Sequence, residues 1–398
     1  MRPALTSFVF MCLCICAGGA PAGSQHRAPA PTNPEKAQII LVSAAPDKKL
    51  ERQFMGETGW TGADGAGSIR LSAQKTLWLF GDTFIGKVEN GRRRQTQFIN
   101  NSAAWQNTGG DDTALRFFWR NEGGVAGALL KPPQKNGQFY WPCDGTLLGD
   151  RLILLMRRVQ AKMGAGGPFD FDVLGCDLVC VENPQAEPTA WKYSAIELPL
   201  KQGGIDAASA VCADDQYLYV FGRRLGAKPG QLVLARLAIK ELATPTGVRQ
   251  GWQYFCDTAN GGAWRRRPQN LRVLFGDAAP EMSISRWPGM RGYVALYMSP
   301  MDVPGNGRTI FVRRADHLWG PWSARTQVCD CPAPPAGVLV YNARSHPELS
   351  GADGVVPVTF CRNSLRNADH EEHPDLYRPQ AIAVKLRPGA ISPIRKKP

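Results

Sequence analysis

Residues 205–222, IDAASAVCADDQYLYVFG, decide the fold. An acid opens a run of small and apolar residues, a polar break follows, and a second run alternates tyrosine with leucine and valine before stopping at Gly222. Such runs, rich in β-branched and aromatic residues and bounded by turn formers, read as two antiparallel strands joined by a tight connection. Residues 64–81, DGAGSIRLSAQKTLWLFG, follow the same plan, with Thr76 to Phe80 as the second run and Gly81 as its stop. A hairpin headed by an acid is therefore a candidate repeat.

Searching outward for the same head finds Asp144 in CDGTLLG, Glu281 in PEMSISRW and Glu348 in PELSG, so that five acid-led clusters follow one another at steps of 80, 62, 75 and 67 residues. Each step has room for a four-stranded sheet with long loops, somewhat more than the ~40–50 residues of a compact propeller blade. Composition agrees. The 398 residues are 43% apolar and 20% charged, enough for a sizeable core, while 42 glycines and 31 prolines interrupt the chain too often for long helices. Past the N-terminus no apolar stripe of helical period lasts three turns, which disfavours alternating strands and helices. The expected fold class is all-β, a five-bladed β-propeller.

The N-terminus reads as an export signal, with Arg2, an apolar run over residues 8–18 and an Ala20-Pro21-Ala22 cleavage site. Pro- and Ala-rich residues follow. The expected organisation is a signal peptide over 1–22, a flexible linker over 23–38, one propeller domain over 39–390 and a basic tail over 391–398. The corresponding localisation is secreted or periplasmic, with nothing holding the chain in a membrane after cleavage. Eight cysteines remain beyond the signal, and an oxidising compartment makes at least one disulfide expected, with Cys176–Cys180 and Cys329–Cys331 as local candidates. Their spacings lack the paired CxxC of a zinc ribbon, and no metal site is assigned.

In a propeller the first residues of the innermost strands face the mouth of the central channel, so acids placed there converge. Like charges and partial burial then split their pKa values, leaving one carboxyl protonated and another ionised. Glycoside hydrolysis needs such a pair. A ring of oxygens would equally suit Ca²⁺ in the central channel, and no other cofactor is called for. No nucleophile elbow, phosphate-binding loop, Rossmann fingerprint or sialidase Asp box occurs, which turns the reading away from nucleotide chemistry.

The stretches Thr61-Gly62-Ala63-Asp64-Gly65, Leu79-Phe80-Gly81-Asp82-Thr83-Phe84 and Asn100-Asn101-Ser102-Ala103 resemble the opening of the bacterial domain of unknown function 4185 family. Pro280-Glu281-Met282-Ser283-Ile284, Gly320-Pro321-Trp322-Ser323 and Ser345-His346-Pro347-Glu348 agree in order, so the likeness spans roughly residues 55–386. Ala63-Asp64-Gly65 departs from that family's more usual Thr-Asp-Leu. The resemblance implies a five-bladed propeller similar to glycosidases such as endo-D-arabinanases, with Asp64, Asp82 and Glu281 as active-site acids. Within that frame Glu281 is the expected general acid, Asp64 the base or nucleophile, and Asp82 the group that orients one of them or tunes its pKa.

Trp60 and Trp141 precede acids and could stack on sugar rings, while Asp144, His346 and Glu348 complete the candidate substrate-binding set. His370 and His373 read as part of a solvated loop. Arg92-Arg93-Arg94 and Arg265-Arg266-Arg267 supply much of the net charge of +13 and read as two solvated loop tips. Their excess suits an anionic polysaccharide better than nucleic acid, because neither run interleaves aromatics as a single-strand binder does. The sequence thus supports an exported glycoside hydrolase acting on a polysaccharide. The alternative is a non-catalytic propeller that binds an envelope glycan or a protein partner.

Overall fold

The computed structural model describes residues 38–389 except 109–113, 135, 163–168, 260 and 300–306. The expected signal peptide, basic tail and all of the linker but Gln38 lie outside the described residues. The fold is all-β, and its helices are single short pieces such as Lys48–Gln53, Pro245–Gln250 and Asn367–Glu372. Five antiparallel sheets of four or five strands follow one another along the chain. Their first strands are Gly67–Ser72, Gln138–Leu148, Ile205–Ala213, Met282–Ser285 and Val338–Ser345. Smaller ribbons of three and two strands lie beside this series.

Second strands are nearly continuous apolar runs because both faces of each sheet are covered. Lys75–Phe80, Tyr217–Arg224 and Tyr293–Met298 are each buried over most of their length. One apolar core joins the first sheet to the second through Leu79, Leu154 and Val179, and another joins the second to the third through Leu155, Leu178 and Val220. Phe221 and Tyr297 belong to a core shared by the third and fourth sheets, and Leu296 and Val358 to one shared by the fourth and fifth. First strands are different. Ala207, Ala208, Ser209 and Ala210 are small and buried. Four first strands also slip register, between Arg70 and Ser72, Pro142 and Asp144, Asp206 and Ala210, and Tyr341 and Arg344. Such bulges re-aim side chains and commonly sit beside functional sites.

Ile39–Pro46 pairs with Gln380–Pro388 on the edge of the fifth sheet, Leu41 facing Leu386.

Several local expectations are corrected. Glu348 does not head a first strand but lies in a 3₁₀ turn, Pro347–Leu349, after the fifth sheet's first strand has ended. The eight described cysteines are all free thiols. Cys176 and Cys180 lie four positions apart on one extended strand, Phe171–Val181, so their backbones are too far apart for a disulfide. Cys329 and Cys331 touch without a covalent bond. Of the first arginine run, Arg93 is no loop tip: it is buried and donates to the carbonyls of Thr61, His370 and Pro374. His370 is likewise buried, bonded to Asn363, with burial holding its pKa down at about 4. Arg265, Arg266 and Arg267 are exposed as expected.

Candidate active site

Asp64 stands in the turn between strands Thr58–Ala63 and Gly67–Ser72, and Asp82 in the turn before Thr83–Glu89. Backbone bonds lock the turns together: Asp64 N–H donates to the Asp82 carbonyl at 3.2 Å, and Gly81 N–H to the Asp64 carbonyl at 2.9 Å. A Cβ at Gly81 would meet Asp64 Oδ1 at 2.4 Å, so only glycine lets the two turns approach this closely. Tyr341 Oη donates to Asp64 Oδ2 at 2.6 Å, and the Tyr377 hydroxyl also bonds this carboxyl. On Asp82, Oδ1 accepts from Asn100 Nδ2 at 3.1 Å and from Trp141 Nε1 at 2.8 Å. The Asp82 side chain is therefore held by other side chains instead of capping its turn.

Burial raises the Asp64 carboxyl to about 6, opposed by its two tyrosine donors and assisted by the charge of Glu281. Burial raises Asp82 further, to about 8, and the neighbouring Asp64 charge adds to it, while Trp141 and Asn100 pull the other way. Two adjacent carboxyls so perturbed titrate as a pair. The two environments differ in degree, that of Asp82 favouring the protonated form more than that of Asp64.

Glu281 immediately precedes Met282–Ser285 and is near enough for its charge to bear on Asp64, Cys143, Cys361 and Arg157. Met282, next to it in the chain, is buried. Arg344 ties the surrounding first strands together. It is buried, donating Nη1 to the Met282 carbonyl and Nη2 to the Cys143 carbonyl, both at 2.5 Å, and Nε to Asn342 Oδ1 at 2.9 Å. Asn342 takes a positive φ of 57° at the bulge that aims Arg344 inward.

The proposed substrate-binding residues divide. Trp141 is half-buried, edge-on to Phe171 at 4.7 Å, and touches the acids directly through Asp82. Trp60 offers no platform, being 1% exposed and stacked on Phe117 at 4.3 Å in the core of the first sheet. Asp144 accepts from the backbone N–H groups of Gly145 and Val211 at 2.9 and 2.8 Å, bracing the second sheet against the third. It also lines a small recess with Gly65, Gly67, Pro142, Cys143 and Gly145. His346 is fully buried between Ser68 and Thr359, with its pKa lowered by burial to about 3, and cannot reach a sugar. Ser68 also donates to Glu348, a half-buried carboxyl raised by burial to about 7. Among the described residues no group of three or more His, Cys, Asp or Glu side chains is placed to hold a metal ion, so Ca²⁺ has no carboxylate cage there.

Sequence reasoning brings Asp64, Asp82 and Glu281 to one place but misses Tyr341, Tyr377 and Arg157. The Asn100 motif was visible without its role. Tyr341 lies 277 residues from the aspartate it bonds, and no local pattern marks it.

Residues 47–387 match the family model described as Domain of unknown function (DUF5005). This replaces the family suggested by the sequence motifs. No curated protein matches the chain. Among solved structures, a provisionally assigned hydrolase from Bacteroides ovatus is similar at 18% identity and a TM-score of 0.69, covering 91% of this chain and 97% of that one. Weaker likenesses include a xylan β-1,4-xylosidase from Bacillus halodurans, at 13% identity and a TM-score of 0.42 over 86% of this chain and 60% of that one. An α-L-arabinanase from Cellvibrio cellulosa stands at 12% identity and a TM-score of 0.41 over 83% and 92%. At these identities the Bacteroides structure bears on the fold alone.

Proposed function

The chain belongs to the DUF5005 family, and from that premise we propose that it is a glycoside hydrolase acting on a polysaccharide at the mouth of a five-bladed propeller. The propeller reading follows from the five consecutive sheets and the cores shared between neighbours. The observation that carries the chemistry is the Asp64–Asp82 pair, split so that one carboxyl holds a proton near neutral pH while its neighbour is ionised.

In this mechanism Asp82 gives its proton to the glycosidic oxygen as the bond to the anomeric carbon breaks. Water adds to that carbon and passes a proton to the Asp64 carboxylate, whose basicity the Tyr341 and Tyr377 hydroxyls restrain. The donor role thereby moves from Glu281 to Asp82, because Asp82 is the acid whose surroundings favour the protonated form. Glu281 supplies the third carboxyl at the mouth. Trp141 offers the aromatic edge next to the donor. Export and a secreted or periplasmic location belong to the same proposal.

The test is a panel of purified polysaccharides with product sizing, run on the wild type and on Asp82→Asn. Release of oligosaccharides that falls by roughly 100-fold or more in the variant supports the reading. Absence of cleavage across the panel, with one glycan bound tightly, would favour the binding-module alternative.

A further inference from the structure

The second and third sheets meet at an ion cluster that the mechanism leaves unused. Arg157 is the register partner of Trp141, and Asp206 faces Arg223 across the first two strands of the third sheet. Arg157 Nη2 reaches the two Asp206 oxygens at 3.3 and 3.2 Å, and Arg223 Nη2 lies 3.5 Å from Oδ2. Two guanidiniums thus share one carboxylate, at distances longer than a good charged hydrogen bond. No other nitrogen of either arginine meets a partner among the described residues, and both Nε atoms are buried without one. A purely structural ion pair would balance its charge and satisfy its donors. This cluster leaves donors over.

It also borders the site. The side chains of Arg157, Asp206 and Arg223 are 12%, 21% and 28% exposed, and Glu281 is near enough to act on Arg157. With Asp206 and Glu281 the charges are even, and what remains is a set of planar donors, the arrangement that a carboxylate satisfies bidentately. We propose that Arg157 and Arg223 form a carboxylate subsite beside Glu281, and that the substrate is an acidic polysaccharide whose uronate residue docks there. This rests on the hydrolase reading for its substrate, although binding alone tests the subsite.

The experiment measures affinity of the full chain for alginate, polygalacturonate and hyaluronan and for their carboxyl-reduced forms. At least one acidic polymer should bind, and carboxyl reduction should weaken it by about tenfold or more. Arg157→Met and Arg223→Met should each produce a comparable loss, Arg157→Lys a smaller one, and simultaneous replacement of Arg265, Arg266 and Arg267 by Gln none. If Arg157→Met does not fold, Arg223→Met and Arg157→Lys carry the test. The proposal is overturned if no acidic polymer binds, if reduction leaves affinity unchanged, or if only the exposed arginine run matters. Cleavage of an acidic polymer at full rate and unchanged affinity by both Arg157→Met and Arg223→Met would keep the hydrolase and remove the subsite. Binding that needs both arginines, without cleavage, would do the reverse.

Discussion

Trp141 reaches from the second sheet to an acid of the first, and its indole N–H is one of two neutral donors that hold Asp82. Donors to a carboxylate favour ionisation, so removing one should raise the pKa. In Trp141→Phe the alkaline limb of the pH–rate profile is expected to move upward by roughly half a unit to one unit, with the acid limb nearly fixed. A limb that stays in place would separate Asp82 from the proton donor. Tyr341→Phe acts on the other partner. With one fewer donor, Asp64 should become harder to ionise, and the acid limb should shift upward instead. The three acids are legible in the sequence because each stands at a local break between a turn and a strand. Their tuning is not, since Asn100, Trp141 and Tyr341 act through contacts between distant segments.

Elements differ in how much of their role is readable. The second strands announce themselves as apolar runs, whereas the bulges of the first strands leave no mark beyond an Asn or Asp nearby. Arg344 depends on such a bulge. Its guanidinium bonds the carbonyls of two other first strands, so Arg344→Met leaves two buried acceptors without donors. At ~1–3 kcal/mol for each stranded acceptor, the variant is expected to lose about 3 kcal/mol of stability in urea titration. An unchanged midpoint and slope would show that these bonds contribute nothing net. Trp60 illustrates the opposite error. An aromatic residue just before a catalytic acid reads as a platform, yet its strand turns it into the core beside Phe80.

Over the whole molecule, opposing groups set the response to pH. Asp64 and Asp82 have folded-state pKa values above the ordinary 3.8, so their contribution to stability is complete below that value and is lost as pH rises toward about 8. His346 works in reverse, its contribution lost as pH falls from 6.5 through about 3. The unfolding temperature should therefore decline between about pH 6 and 8, and Asp82→Asn should flatten that decline. Parallel curves for the two proteins would remove Asp82 from the balance. The series of sheets is readable from the acid-headed hairpins. The Glu348 cluster misled because an acid after Pro in a turn resembles one before a strand.

The pairing of Ile39–Pro46 with Gln380–Pro388 has a consequence for biosynthesis. The earliest strand of the fold finds its hydrogen-bonding neighbour only when the last strand has been made. Throughout elongation it remains an unsatisfied edge, open to pairing with another nascent copy. A ribosome that stalls before residue 380 releases a chain that cannot complete its fifth sheet, and such fragments are natural targets for quality-control proteases.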